Sequence, residues 1–310
     1  MSDGKRFEPT WVIDTHVHMW DQTRSELAYK WLDPSTPHPI MTKQEIKKLA
    51  VPIEDGRAVA RYCREGGVPA VVHVQAAVGT ANPVNETHWL ESQRHLHGFP
   101  QAIVGSADLT RPEVGDILDE HVSASNAFRG VRDFGRGTEY LDDPSWIRGI
   151  AALGQRGLVA CVDVSVERMP SLENLARAHP ECTLIVDHMG MPNPRNLEFK
   201  AAWREAMSRL AKYANLYCKV SEQTMVRHCW DRTEAMDWMR SCINIFGPLR
   251  CFFGSNWPVD SLYVGYGEIV DSYRDLANEY GAADSSDLRW GTAAKVFGIQ
   301  PADFIFLKYT

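Results

Sequence analysis

Two histidines one residue apart, in Asp14-Thr15-His16-Val17-His18, have types and spacing that could do chemistry. Residues two apart share one face of a strand, so Asp14, His16 and His18 are expected to point one way and Thr15 and Val17 the other. Two imidazoles on one face can ligate a single cation or polarise a single carbonyl. A third imidazole, His188, follows the apolar run Ile185-Val186 and Asp187, and an amide, Asn256, follows Phe253-Gly254-Ser255. Arg132 ends the run Phe128-Arg129-Gly130-Val131, and Arg136 lies just beyond it. A guanidinium matches a carboxylate bidentately, so the ligand expected here is an anion. Gln75, Asp163 and Lys219 close other apolar runs and are further candidates for substrate contact. Glu222, just after Ser221, is the first choice of general base, ahead of Asp163, Asp133 and Asp14, with His18 a further choice. Asp14 reads as a structural acceptor and His73 as a core histidine.

These residues need a frame that brings distant runs to one place. Eight apolar, β-rich runs recur along the chain: Trp11–His16, Ala70–Gln75, Gln101–Ala107, Phe128–Arg132, Leu158–Asp163, Thr183–His188, Leu216–Val220 and Arg250–Gly254. Helical stretches lie between them, several opened by Pro in pairs such as Arg111-Pro112 and Asp143-Pro144. Strand and helix in alternation predict a (β/α)8 TIM barrel, whose reactive groups sit at the C-terminal strand ends. No GxGxxG or GxxxxGK[ST] string occurs, which removes the usual nucleotide-binding alternatives. Repeats and Gly/Ser linkers are missing too, so residues 1–310 are expected to form one domain. The irregular stretch 19–42, rich in Pro and aromatic residues, is expected to be a flap over the first strand's end.

Composition bounds the partners. With 24% charged and 44% hydrophobic residues the chain falls among globular proteins. A net charge of −7 supplies no basic field for nucleic acid. No apolar run is long enough for a membrane helix, and the polar first ten residues do not read as a secretory leader. Seven cysteines without a CxxC pair read as buried thiols in a reducing cytoplasm. No Gly-x-Ser-x-Gly elbow marks a serine nucleophile. The partner expected is a small molecule, with a homodimer compatible with the sequence.

The segments Ile13–His18, Asp187-His188-Met189-Gly190-Met191-Pro192 and Phe253–Val259, in this order, resemble the amidohydrolase-2 branch of the amidohydrolase superfamily. Within it the chain is most similar to lactonases: pyrone-dicarboxylate, sugar-lactone and sulfomuconolactone hydrolases. The resemblance runs from Trp11 to about Gly298 and includes Phe128–Arg132, Asn215–Lys219 and Trp290–Phe297. It implies a distorted (β/α)8 barrel that hydrolyses a cyclic ester with or without a divalent metal. The matching positions are His16, His18, His188 and Asn256. The family usually has aspartate at the last of these; this chain reads Gly254-Ser255-Asn256-Trp257-Pro258. An amide has no useful basicity, so Asn256 can only orient water or substrate.

The reading is a hydrolase that opens a carboxylated lactone arising from an aromatic compound or sugar acid. Arg132 would hold the carboxylate, and the three imidazoles would polarise the carbonyl. A decarboxylase or hydratase on the same scaffold, or a non-catalytic acid binder, are the alternatives. Either no cofactor or one weakly held divalent metal, zinc for preference, is expected on His16, His18 and His188. Because Asn and Asp are nearly equal in size, Asn256→Asp is expected to change activity more than stability.

Overall fold

Eight short, fully or largely buried runs pair in parallel and in sequence order. They are β1 (Ile13–Val17), β2 (Ala70–Val74), β3 (Ala102–Gly105), β4 (Phe128–Arg132), β5 (Val159–Val162), β6 (Leu184–Val186), β7 (Leu216–Val220) and β8 (Cys251–Phe253). They come from a computed structural model that describes residues 10–133, 140–192, 197–221, 224 and 227–305. The sheet curls until β8 meets β1. That seam has a single bridge, Val17 to Trp257, with His18 N donating to Trp257 O at 2.7 Å. The Thr15 hydroxyl also donates to Phe253 O across it, at 2.6 Å. The result is a (β/α)8 barrel, as the sequence predicts, with strands equal to the apolar runs or up to three residues shorter.

Parity along the strands sorts side chains between interior and helix layer. Ile13, Val72, Val104, Cys161, Ile185 and Phe252 belong to one inner cluster. Its floor is made by the C-terminal segment, where Phe297 and Phe304 pack and the Phe252 and Phe297 rings lie 5.5 Å apart. One end of the barrel is therefore plugged by hydrocarbon, which leaves the C-terminal strand ends to carry the polar chemistry.

The connecting helices start where the sequence supplies caps. Asp143 accepts from Ser145 N and Pro144 takes the first turn of Pro144–Gln155. Asp231 accepts from Glu234 N at the start of Arg232–Phe246. The 19–42 stretch is less irregular than its sequence suggests: Trp20–Asp21 pairs antiparallel with Ile53–Glu54, and Lys30–Leu32 forms a 3-10 turn. Indole N–H groups anchor it, Trp20 to Val51 O (2.8 Å) and Trp31 to Ala76 O (2.7 Å). A Thr42–Glu45 capping box then opens helix Lys43–Leu49. All seven cysteines are free thiols, six of them buried. No helix among the described residues is long and apolar enough to cross a membrane.

Candidate active site

β1 carries a bulge that redirects its side chains. Its register with β2 shifts between Asp14 and Val17, and the extra residue breaks simple alternation. Ile13 faces the interior, while Asp14 turns to the helix layer and accepts from Tyr266 OH at 3.0 Å. Asp14 and His16 thus do not share a face, which corrects the parity reading. Asp14 also accepts from His16 N (3.1 Å) and Ser255 N (2.9 Å), pinning the ends of β1 and β8 together. Burial pushes its carboxyl up to about 6 against these hydrogen bonds.

His16 and His18 converge, their Nε2 atoms 3.2 Å apart. The His18 Nδ1 lies 2.9 Å from Val74 O. A carbonyl only accepts, so Nδ1 carries the proton and the His18 Nε2 lone pair is bare. Burial, then the nearby Arg132 charge, lowers His18 to about 3, so the ring is neutral. His16 is lowered well below the ordinary histidine value, by burial first and the Lys219 charge second.

β6 stops at Val186, and Asp187–Gly190 turns back on itself. His188 and Met189 have φ of 52° and 53° in this turn, an uncommon conformation outside Gly and Asn. Asp187 is inward by parity; the left-handed turn then brings His188 inward as well. The His188 Nδ1 lies 2.8 Å from Ser221 Oγ, and its Nε2 lies 3.5 Å from Arg132 Nη2. A guanidinium only donates, so His188 is protonated on Nδ1 and bare on Nε2. Burial, then Arg132, holds this ring too well below the ordinary value.

Beneath these rings lies a buried ionic network. Asp187 is 2.7 Å from Lys219 Nζ and 3.3 Å from Arg132 Nε. Arg132 forks onto Asp163 with bonds of 2.9 and 2.8 Å. Burial alone would lower Lys219, but Asp187 prevails and its pKa is raised.

Above the network is a cleft that opens to solvent. His18, Gln75, Arg132, Asp163, His188 and Asn256 line it on the barrel side. Trp31 and His38–Met41 line it from the 19–42 segment. Asn256 sits at φ 56°, and its Nδ2 donates to Asp260 Oδ1 at 3.0 Å. Because a carboxylate accepts, this bond leaves the Asn256 Oδ1 as the amide's outward group.

Of the expected residues, His18, His188, Asn256, Gln75, Arg132 and Asp163 meet at the cleft, with His16 directly below. Lys219 is fully buried against Asp187 and is not among the described residues lining the cleft. The Arg132 fork, expected to meet substrate, is engaged by Asp163. Arg136 and Glu222 lie outside the described residues. Asp133 accepts from Leu109 N and Trp146 Nε1, a structural role. His73 is buried, with Met19 N donating to its Nδ1 and Glu86 at its Nε2, as a core histidine should be.

Sequence reasoning passed over Asp187 and Asp260. Strand alternation puts residues 187 and 188 on opposite faces, and only the left-handed turn brings Asp187 and His188 to one side. Asp260 is buried four residues after Asn256, a spacing that becomes meaningful only once Pro258 and Val259–Leu262 are seen to turn.

The donor set suits a divalent cation. His16, Asp187 and His188 are buried and offer ligand atoms all within 4.8 Å of one another. His16 Nδ1 is buried without a hydrogen-bond partner. His18, the third imidazole expected as a ligand, is not in this cluster, although its Nε2 lies 3.2 Å from the His16 Nε2. A carboxylate therefore stands with His16 and His188 where the sequence suggested a third imidazole.

A parallel barrel with histidines at the ends of β1 and β6 around a polar mouth defines the class. The chain belongs to the amidohydrolase family, whose model matches residues 13–299. It is 33% identical over 301 residues to uncharacterized protein y4mH of Sinorhizobium fredii, covering 93% of this chain and 98% of that one. It is 27% identical to an L-fucono-1,5-lactonase of Burkholderia multivorans, covering 94% and 97%. An amidohydrolase crystal structure from Burkholderia multivorans with bound zinc superposes with a TM-score of 0.78 at 26% identity, covering 94% and 100%.

Proposed function

We propose that the protein is a hydrolase that opens a lactone ring, and that its lactone bears a carboxylate. The carrying observation is the pair of neutral imidazoles, His18 and His188, each fixed by its Nδ1 partner with an unprotonated Nε2, at a cleft that also holds Arg132 and Asn256. The relatives named as lactonases support the reaction class.

Water attacks the lactone carbonyl in the cleft. The His18 Nε2 accepts its proton, and the Nδ1–H bond to Val74 O steadies the imidazolium that forms. Because burial disfavours that charge, the proton passes on to the ring oxygen as the C–O bond breaks. The Asn256 Oδ1 accepts from the attacking water and orients it. Arg132 meets the substrate's carboxylate with whatever part of its charge the Asp163 pair leaves uncompensated. A divalent ion on His16, Asp187 and His188 would polarise the carbonyl and acidify water. Trp31 and His38–Met41 act as the flap that excludes bulk solvent.

The test is a panel of lactones with and without carboxylates, followed by proton release in weak buffer. Turnover of carboxylated members with little for neutral ones of equal ring size supports the reading. Inactivity across the panel, with carbon dioxide released from the corresponding acids, would replace it with a decarboxylase.

A further inference from the structure

Lys219 is a site candidate that finds no place in this reaction. Its stem runs up the barrel interior from β7, and its ammonium is fully buried 2.7 Å from Asp187 Oδ1. Its other polar neighbour is the Cys161 Sγ at 3.7 Å. Burial pushes that thiol up to about 12, so it is neutral and cannot balance the ammonium. Asp187 is a member of the cluster that could hold a cation, yet Arg132 Nε stands 3.3 Å from its second oxygen.

The charges around the cluster therefore close on themselves: the carboxylates of Asp187 and Asp163 face the cations Lys219 and Arg132, and the histidines are neutral. A divalent ion entering this set must take Asp187 from partners already in contact with it, and must do so at a short distance from two positive charges. In a water-poor interior such repulsion is strong.

We infer that Lys219 is a built-in counter-ion to Asp187 that sets how tightly this site can hold a divalent metal. The protein supplies internally the cation that Asp187 would otherwise seek from solution. The inference concerns metal affinity alone and stands whichever ester is cleaved.

Zinc binding to chelator-stripped protein is the test, by calorimetry and by metal content after dialysis. Lys219→Met keeps an unbranched stem and removes the charge, and Arg132 still faces Asp187. It should bind zinc at least roughly tenfold more tightly than the wild type. Asp187→Asn should weaken zinc binding at least as far in either background. A folded Lys219→Met protein with zinc affinity equal to or weaker than the wild type overturns the inference. A second measurement needs no variant. Zinc-soaked crystals of the wild type should show Nζ withdrawn from Asp187, and an unchanged 2.7 Å contact beside bound zinc overturns it equally.

Discussion

Replacing Asn256 by aspartate exchanges an NH2 for an oxygen, and its size suggests a harmless exchange. The structure argues otherwise. Asn256 Nδ2 donates to Asp260 Oδ1 at 3.0 Å with both residues buried. The substitution places two carboxylates at that distance. Were both ionised, their repulsion would be about 5.5 kcal/mol at an effective dielectric near 20. The pair avoids part of this by retaining one proton at neutral pH. Holding a carboxyl protonated at pH 7 when its unfolded value is near 3.9 costs about 4 kcal/mol. We therefore expect Asn256→Asp to be about 4 kcal/mol less stable than the wild type at pH 7, with a melting temperature lower by about 6 °C.

The pH dependence gives the mechanism a signature. A carboxyl whose folded pKa is raised favours the fold most below its unfolded value and loses that advantage as pH rises toward the folded one. The deficit should thus be absent below about pH 4 and grow by about 1.4 kcal/mol per pH unit above it. The exchange Asn256→Asp with Asp260→Asn rebuilds the amide–carboxylate bond in the opposite direction and should recover most of the loss. Urea unfolding of the wild type, single and double variants at pH 4 and pH 7 makes the comparison. A single variant whose unfolding curve overlies the wild type at pH 7 would refute the pairing argument.

Ser221→Ala removes the acceptor that fixes His188 on its Nδ1 tautomer; lactone turnover and zinc retention should each fall roughly tenfold to a hundredfold, and unchanged values for both would show that the tautomer is held by other means. Glu45 accepts from Tyr263 OH at 2.5 Å and lies 2.9 Å from His228 Nδ1, tying helix Lys43–Leu49 to the loops after β7 and β8. Glu45→Ala should speed amide exchange at 38–42 and raise KM severalfold while costing no more than about 1 kcal/mol of stability; slow exchange with an unchanged KM would show that the cleft wall does not depend on this contact. Asp14→Asn keeps an oxygen for His16 N and Ser255 N, which share Oδ1, but sets an amide NH2 against the Tyr266 OH donor; chemical unfolding should show a loss of about 1–3 kcal/mol, and full stability would mean that the Tyr266 hydroxyl turns to accept.

The barrel was legible because its signal is repeated eight times and each strand needs only to be apolar on both faces. The site was legible where side-chain position follows strand parity. Cys161 and Asp163, Lys219 and Ser221 alternate inward as a regular strand requires, and so Asp163 reaches the cleft and Ser221 reaches His188. Parity fails where the backbone departs from a strand. The bulge in β1 sends Asp14 to Tyr266 and His16 to the interior. The left-handed turn after β6 places Asp187 and His188 on one side, which alternation forbids. A single sequence carries little sign of either event, since Thr15 and Met189 are not residues that announce irregular backbone.

The same argument separates what charge counting can and cannot give. Arg132 and Lys219 were legible as inward cations, and an inward cation without a visible partner reads as a substrate contact. Each also has an internal anion, from a different strand: Asp163 beyond β5 and Asp187 beyond β6. Those pairings join consecutive strands, β4 with β5 and β6 with β7, but they depend on the heights at which the side chains meet, which strand order alone does not set. Non-Gly residues with positive φ, His188 and Asn256, cluster at the cleft. Strain of this kind persists only where surrounding contacts enforce it. Here those contacts are the Ser221 bond on His188 and the Asp260 bond on Asn256. The residues that most determine how the cleft groups present their atoms are thus a serine and an aspartate behind them, chosen by the turn geometry and not by any motif.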